Sequence, residues 1–309
     1  MEQLKINGKA VIEREQSETG FDSAEREQAR PVIRGKAIYA TKGAAREYGR
    51  IGCNFYKGCP NDCTYCYLKR GAPSKQLGGS QAKLKKCFRN EEHAVEVLCK
   101  EFDKWLEPCR KFGIFLSFTT DPMIEQTRYL TKQAIIKATV RGIPTYVLTK
   151  DASFINHIKT FRFLETLPEP YRKLIHFGFT LTGRDDMEPN ASSNEDRIKA
   201  MQYMFVLGYP TFASLEPVIS WDDTIKMVLE ALLYCDHFKL GLRSGVKKDY
   251  YDPAESIDAI KCIVQTVNLF NKTIYLKEST RLLLQQHLRS GAYEAVLSHT
   301  VDQNGNPID

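Results

Sequence analysis

The sequence predicts an α/β fold, a partial β/α barrel of about six βα units, and three observations carry that expectation. Short apolar runs rich in β-branched and aromatic residues alternate with amphipathic stretches, at the roughly 30-residue spacing of βαβ units and a parallel sheet. Two of the amphipathic stretches end in Gly142-Ile143-Pro144 and Gly208-Tyr209-Pro210. A terminating glycine followed by a proline is how a helix hands over to the next strand. The 309 residues are 42% hydrophobic and 27% charged, a balance that supplies the sizeable core a barrel of this length needs.

In chain order, residues 1–50 are polar with mixed charge and read as an arm or lead-in. Residues 51–56 read as a first strand, and 114–118, 145–148, 174–181, 211–215 and 238–242 as five more. Helical periodicity covers 91–107, 129–141, 194–207, 224–234 and 254–270, with Ser193 or Asn194 as a cap for the third of these. The barrel is expected over 51–290, with a tail over 291–309. No run approaches the roughly 18 apolar residues of a membrane span. Residues 1–15 are too charged for a secretory signal. A soluble, cytoplasmic protein is the expectation.

Nine cysteines in a chain of this size argue against a disulfide framework, which belongs to short secreted domains. Four fall between Cys53 and Cys66, while Cys87, Cys99, Cys109, Cys235 and Cys262 are scattered. The local cluster points to metal. Cys59, Cys63 and Cys66 follow the pattern Cys, three residues, Cys, two residues, Cys. Three thiolates on one tight loop suit three irons of a 4Fe–4S cubane and leave the fourth iron with an exchangeable position. The alternative is a zinc site with Cys53 as fourth ligand. Zinc sites more often pair two-residue spacings across a longer loop, and Cys53 precedes Cys59 on an apolar run where it reads as a small core residue.

The spacing, with aromatic Tyr65 before the last cysteine, resembles the radical S-adenosylmethionine (SAM) signature. The run from Gly43 to Tyr48 and Asn54-Phe55-Tyr56-Lys57-Gly58-Cys59 extend the likeness. So do Thr119-Thr120-Asp121-Pro122, Leu148-Thr149-Lys150 and the run from Ala213 to Ile219. Together these resemble the spore photoproduct lyase-like, DNA repair photolyase-related branch, from about residue 36 to residue 277. The resemblance implies a 4Fe–4S cluster, SAM as cosubstrate or cofactor, an electron donor, and reductive cleavage of SAM to a 5′-deoxyadenosyl radical. The lesion-repairing enzyme that names the branch carries a cysteine near Thr119–Asp121 that returns hydrogen to product. This chain has Ser117 and Phe118 in the neighbouring positions, so that route is not expected.

A barrel gathers its strand ends at one face, which makes polar residues just beyond the apolar runs candidates for binding. Thr120, Asp121, Lys150, Thr180 and Glu216 hold such positions. The resemblance implies that SAM lies across them, with Lys150 on the methionyl carboxylate and the Tyr65 backbone at adenine. Arg197 is a further carboxylate candidate, with a solvated helix face as its plain alternative. No residue is assigned to the chemistry on substrate.

Residues 68–89 hold Lys69, Arg70, Lys75, Lys83, Lys85, Lys86 and Arg89 with no acidic residue, and the whole chain carries +6. A cationic, glycine-containing loop beside the cysteines is expected to grip phosphates of a nucleic acid, with Lys239, Arg243, Lys247 and Lys248 extending the surface. An ordinary solvated loop is the plain alternative. Two rival functions stand: a zinc-bound nucleic-acid-binding module without catalysis, and a peptide-modifying radical SAM enzyme.

Overall fold

The computed structural model describes residues 32–302 except 72, 73, 157 and 248, and the backbone alone of residues 158–161. The strands are β1 (Ile38–Ala40), β2 (Ile51–Cys53), β3 (Tyr56–Lys57), β4 (Lys83–Leu84) and β5 (Ile114–Leu116). They continue as β6 (Thr145–Thr149), β7 (Ile175–Thr180), β8 (Thr211–Val218), β9 (His237–Leu242) and β10 (Thr273–Leu276). The helices are α1 (Ser74–Leu77), α2 (Glu91–Lys104), α3 (Leu106–Phe112), α4 (Arg128–Thr139), α5 (Ile158–Thr166) and α6 (Glu169–Arg172). After them come α7 (Asn194–Val206), α8 (Trp221–Ala231), α9 (Pro253–Leu269), α10 (Glu278–His287) and α11 (Ser290–Leu297).

Eight strands form one sheet in the order β1-β2-β5-β6-β7-β8-β9-β10, with β3 and β4 forming a separate antiparallel pair. Every neighbour in the large sheet is parallel except β1 on β2. The fold is therefore α/β with a mostly parallel sheet. The first and last strands do not pair, but Glu47 spans between them. Its carboxylate accepts from Tyr275 Oη at 2.9 Å and from the Glu278 N–H at 2.6 Å, and it lies 3.6 Å from Lys277 Nζ. The sheet thus curls into a partial barrel whose seam is bridged by side chains.

The central strands of the parallel sheet are largely buried, by helices outside and by side chains within the barrel. Val147, Phe177, Phe179, Leu215, Phe238 and Ile274 are sealed from solvent. Helix ends follow their local chemistry. Gly142 and Gly208 take positive φ, +68° and +82°, where α4 and α7 terminate, and the N–H of Ile143 returns to the Ala138 carbonyl. Ser193 caps α7 through the Asp196 N–H. β8 runs through Pro217, which has no N–H for the ladder. Pairing with β9 slips by one residue there, from Leu215 opposite Leu240 to Val218 opposite Leu242.

Several expectations change. The sheet begins at Ile38, ahead of the expected boundary at 51. Gly35 leaves room for the buried Glu101 carboxylate, which accepts from the N–H groups of Lys36, Ala37 and Ile38 and pins that segment to α2. The strand expected over 51–56 breaks after Cys53, because Asn54 ties the chain to Tyr39 and Phe118 while Tyr56 and Lys57 pair with β4. β10 was not expected, and α11 crosses the boundary expected at 290. Residues 1–31 of the expected arm and 303–309 of the expected tail lie outside the described residues. Among the described residues no helix is long and apolar enough to cross a membrane.

Candidate functional site

The cysteine loop follows β3 and sits at the carboxyl ends of the parallel strands, the face where a barrel carries its chemistry. Cys59, Cys63 and Cys66 line one hollow, together with Asn61, Asp62, Leu68, Lys69, Leu77, Gly78 and Gly79. Cys53 is not part of that lining. It is sealed within β2, and burial pushes its thiol well above the ordinary range. Burial also raises Cys59, to about 12, and Cys63. A positive guest is what would convert such thiols to thiolates.

Other loops hold this one in place. The Thr64 N–H bonds the Met187 carbonyl at 3.0 Å, Asn190 Nδ2 bonds the Pro60 carbonyl at 2.9 Å, and the Tyr65 hydroxyl donates to Glu188. On the opposite side the Cys59 N–H bonds the Gly79 carbonyl at 2.8 Å, and Asn61 Nδ2 bonds Asp121 Oδ2 at 3.0 Å. The loop is therefore set by the β7–α7 segment, by the end of β5 and by the turn after α1.

The expected SAM contacts separate into three groups. Asp121 is fully buried and accepts four bonds. Thr149 Oγ1 (2.6 Å) and the Met123 N–H (2.9 Å) reach Oδ1, while Asn61 Nδ2 and the Lys150 N–H (2.7 Å) reach Oδ2. Burial pushes this carboxyl up, and three of those bonds oppose the shift. With both oxygens taken, Asp121 orders the strand ends. The hydroxyl of neighbouring Thr120, also buried, has no partner among the described residues.

The second group is Lys150, Thr180, Tyr65, Glu188 and Arg197. Lys150 Nζ lies 5.6 Å over the Tyr65 ring and 4.0 Å from Glu188 Oε1. Burial works against its charge, but Cys63 and Glu188 outweigh that and hold its pKa above the ordinary lysine value. Arg197 Nη1 bonds the Thr180 carbonyl at 2.8 Å and pairs with Glu188 Oε2 at 2.7 Å. Its side chain is 0% exposed, which excludes the solvated helix face considered for it.

The third group lies across the lumen. Glu216 accepts from the Tyr48 hydroxyl and pairs with Lys277 Nζ at 2.5 Å, while Tyr48 also meets Ser214 Oγ at 2.7 Å. A Cβ at Gly241 would come within 2.8 Å of Lys277 and 3.0 Å of Glu216, so the bare backbone there makes room for the pair. Glu216 is thus neutralised by the next strands, apart from the Lys150 group. Glu188, Asn190, Tyr48 and Lys277 were not singled out from the sequence, although Tyr48 lies within the run from Gly43 to Tyr48 that extends the likeness.

The basic segment is also sorted by the fold. Lys69 pairs with Asp62, Arg70 Nη1 bonds the Ser244 carbonyl, and Lys85 Nζ bonds the Lys36 and Asn54 carbonyls. A cleft of about 930 Å³ remains, lined by Lys57, Lys75, Lys83, Lys85 and Lys86 with Gly58 and Gly79. Lys239 does not extend this surface. It is buried in the lumen, bonds the Glu47 carbonyl at 3.0 Å, and is pushed down to about 8 by burial and by Lys277. Lys247 is exposed, and Lys248 lies outside the described residues.

Three thiols lining one hollow suit the three-thiolate ligation of an iron–sulfur cluster. Among the described residues no three His, Cys, Asp or Glu side chains converge as one metal ion requires. A cubane spreads its thiolates over three irons, so they need not meet at a point.

No family model and no curated protein matches the chain. Solved structures of SuiB from Streptococcus suis are similar to it. The form bound to S-adenosylmethionine has 16% identity and a TM-score of 0.46, covering 71% of this chain and 44% of that one. SuiB alone gives 16% and 0.47, covering 71% and 46%. SuiB bound to the precursor peptide SuiA gives 15% and 0.46, covering 75% and 50%. The chain thus spans about half the length of the structures it matches.

Proposed function

We propose that this chain is a radical SAM enzyme that holds a 4Fe–4S cluster on Cys59, Cys63 and Cys66. The single observation carrying the reading is that these three thiols share one hollow at the strand ends while Cys53 is sealed in the core. When bound, the cluster supplies an electron, from an external donor, that cleaves SAM to a 5′-deoxyadenosyl radical. Lys150 offers an ammonium to the methionyl carboxylate, Thr120 offers an unpartnered hydroxyl, and the loop bonds to Glu188 and Asn190 fix the Tyr65 backbone.

The substrate we propose is a nucleic acid, in keeping with the resemblance to the spore photoproduct lyase-like branch. The lysine-lined cleft supports this, because Gly79 borders both it and the cysteine hollow. A backbone held by Lys57, Lys75, Lys83 and Lys86 would pass close to the site of radical formation. Such contacts bind phosphate without reading sequence.

The test is anaerobic reconstitution with iron and sulfide, followed by reductant and SAM. The reading expects a brown protein with thiolate-to-iron charge-transfer absorption that forms 5′-deoxyadenosine. A colourless protein that instead retains one zinc per chain would refute it. Adding single-stranded DNA or RNA in deuterated solvent, then seeking deuterium in the nucleic acid, tests the substrate.

A further inference from the structure

Three charged side chains meet behind the cysteine loop at unequal distances. The Glu188 carboxylate lies 2.7 Å from Arg197 Nη1 and 4.0 Å from Lys150 Nζ. Glu188 and Arg197 have side chains 0% exposed, whereas that of Lys150 is 19% exposed. One anion therefore faces two cations, and the nearer cation is the sealed one. Coulomb attraction strengthens at short range and in dry surroundings, so Arg197 and Glu188 form the pair and Lys150 is left as the reachable surplus charge. Asp121 forms no ion pair with the Lys150 ammonium among the described residues: its two oxygens are held by other donors, among them the Lys150 backbone N–H. The Thr180 carbonyl, 2.8 Å from Nη1, holds the guanidinium where it is.

We propose that Arg197 is a positioning residue. Its guanidinium retains Glu188 and thereby leaves the Lys150 ammonium free for the carboxylate of an incoming ligand. The inference rests on the reading of the site as one that binds SAM. Without Arg197, the buried carboxylate has Lys150 as its nearest cation. The flexible lysine stem allows the 4.0 Å gap to close into an ion pair, and the ammonium is then withdrawn from the ligand.

That account requires a particular pattern of rescue. Calorimetric titration of iron-reconstituted protein with SAM, with iron content measured on each sample, reads it out. Arg197→Gln should bind SAM about tenfold or more weakly, the loss of one charge-assisted contact. Glu188→Gln removes the attraction for Lys150 but strands the buried Arg197 guanidinium, so it serves only to complete the cycle with the double variant. The double variant Glu188→Gln/Arg197→Gln should return to within about threefold of wild type, because the captor has gone with its keeper. Arg197→Gln on a Lys150→Ala background should weaken binding no further.

Arg197→Gln strands a buried carboxylate and is the variant most exposed to misfolding. The double variant strands no charge and decides the matter alone. A double variant with full iron content that stays tenfold weaker than wild type overturns the inference, because the pair is then needed for the shape of the site. Wild-type protein loaded with iron that binds no SAM overturns the underlying reading and this inference with it, which is a separate and recognisable outcome.

Discussion

Replacing Asp121 by asparagine tests the idea that this carboxylate orders the site. All four of its partners are donors: Met123 N–H and Thr149 Oγ1 on one oxygen, Asn61 Nδ2 and Lys150 N–H on the other. Only an ionised carboxylate presents acceptors on both sides. An asparagine has one oxygen, so in either orientation its amide nitrogen faces two donors. If the nitrogen takes the Oδ2 side, Asn61 can flip its own amide to accept from it, but the Lys150 N–H is then stranded. One buried unsatisfied donor costs about 1–3 kcal/mol, and loss of a charged acceptor weakens the remaining bonds. The expected total is about 2–4 kcal/mol, a fall in Tm of roughly 3–6 °C for a chain of this size. Thermal unfolding of metal-free protein measures it without the cluster. Because Asn61 must then turn and the Lys150 N–H loses its acceptor, iron uptake and SAM binding should weaken as well. An Asp121→Asn protein that melts with wild type would refute the reasoning, and Asp121 would return to the residues that offer an oxygen to ligand.

Other substitutions carry separate expectations. Alanine at Cys59, Cys63 or Cys66 should abolish iron retention after reconstitution, whereas Cys53→Ala should keep it; equal losses would make Cys53 a ligand. Lys150→Ala should keep the iron and weaken SAM binding roughly ten- to a hundredfold by calorimetry, from about 1.5–3 kcal/mol for a charged contact. Neutralising Lys75, Lys83 and Lys86 together should flatten the slope of log affinity against log salt for a single strand by about 2, at ~0.7 per contact. Lys85 is left alone because its ammonium already serves two carbonyls; identical slopes from fluorescence anisotropy would make the segment an ordinary solvated loop. Lys277→Ala leaves Glu216 and Glu47 without their shared buried cation. It should cost about 3–5 kcal/mol in denaturant unfolding, and a smaller loss would show that the lumen admits water to those carboxylates.

What could be read from the linear chain is what depends on neighbours along it. The three-cysteine loop is legible because its ligands fall within eight residues, and a loop that short places them together whatever the rest of the chain does. Helices α4 and α7 end where Gly142 and Gly208 say they should, because a left-handed residue closes the last turn through local bonds. β6, β7 and β9 stand out as short runs rich in apolar residues set between amphipathic stretches. β1 and β10 did not stand out. Three or four residues between charged neighbours show no period of their own, and they become strands only when β2 and β9 supply the partner edge.

The tertiary structure decided the charges. Glu188 lies 123 residues from the Tyr65 that it binds, and nothing local distinguishes it from a solvated glutamate. Arg197 sits in a helix of ordinary polar composition, and only the packing of α7 on β7 turns it inward to the Thr180 carbonyl. Lys239 reads as surface charge in a list of cations, yet its strand position faces the lumen, where Glu47 reaches it from across the seam. Local chemistry says where a cation is affordable, but which anion it meets is set by strands that the sequence holds far apart. Charge pairing acts through space at a few ångströms, and that distance exists only after the barrel has curled.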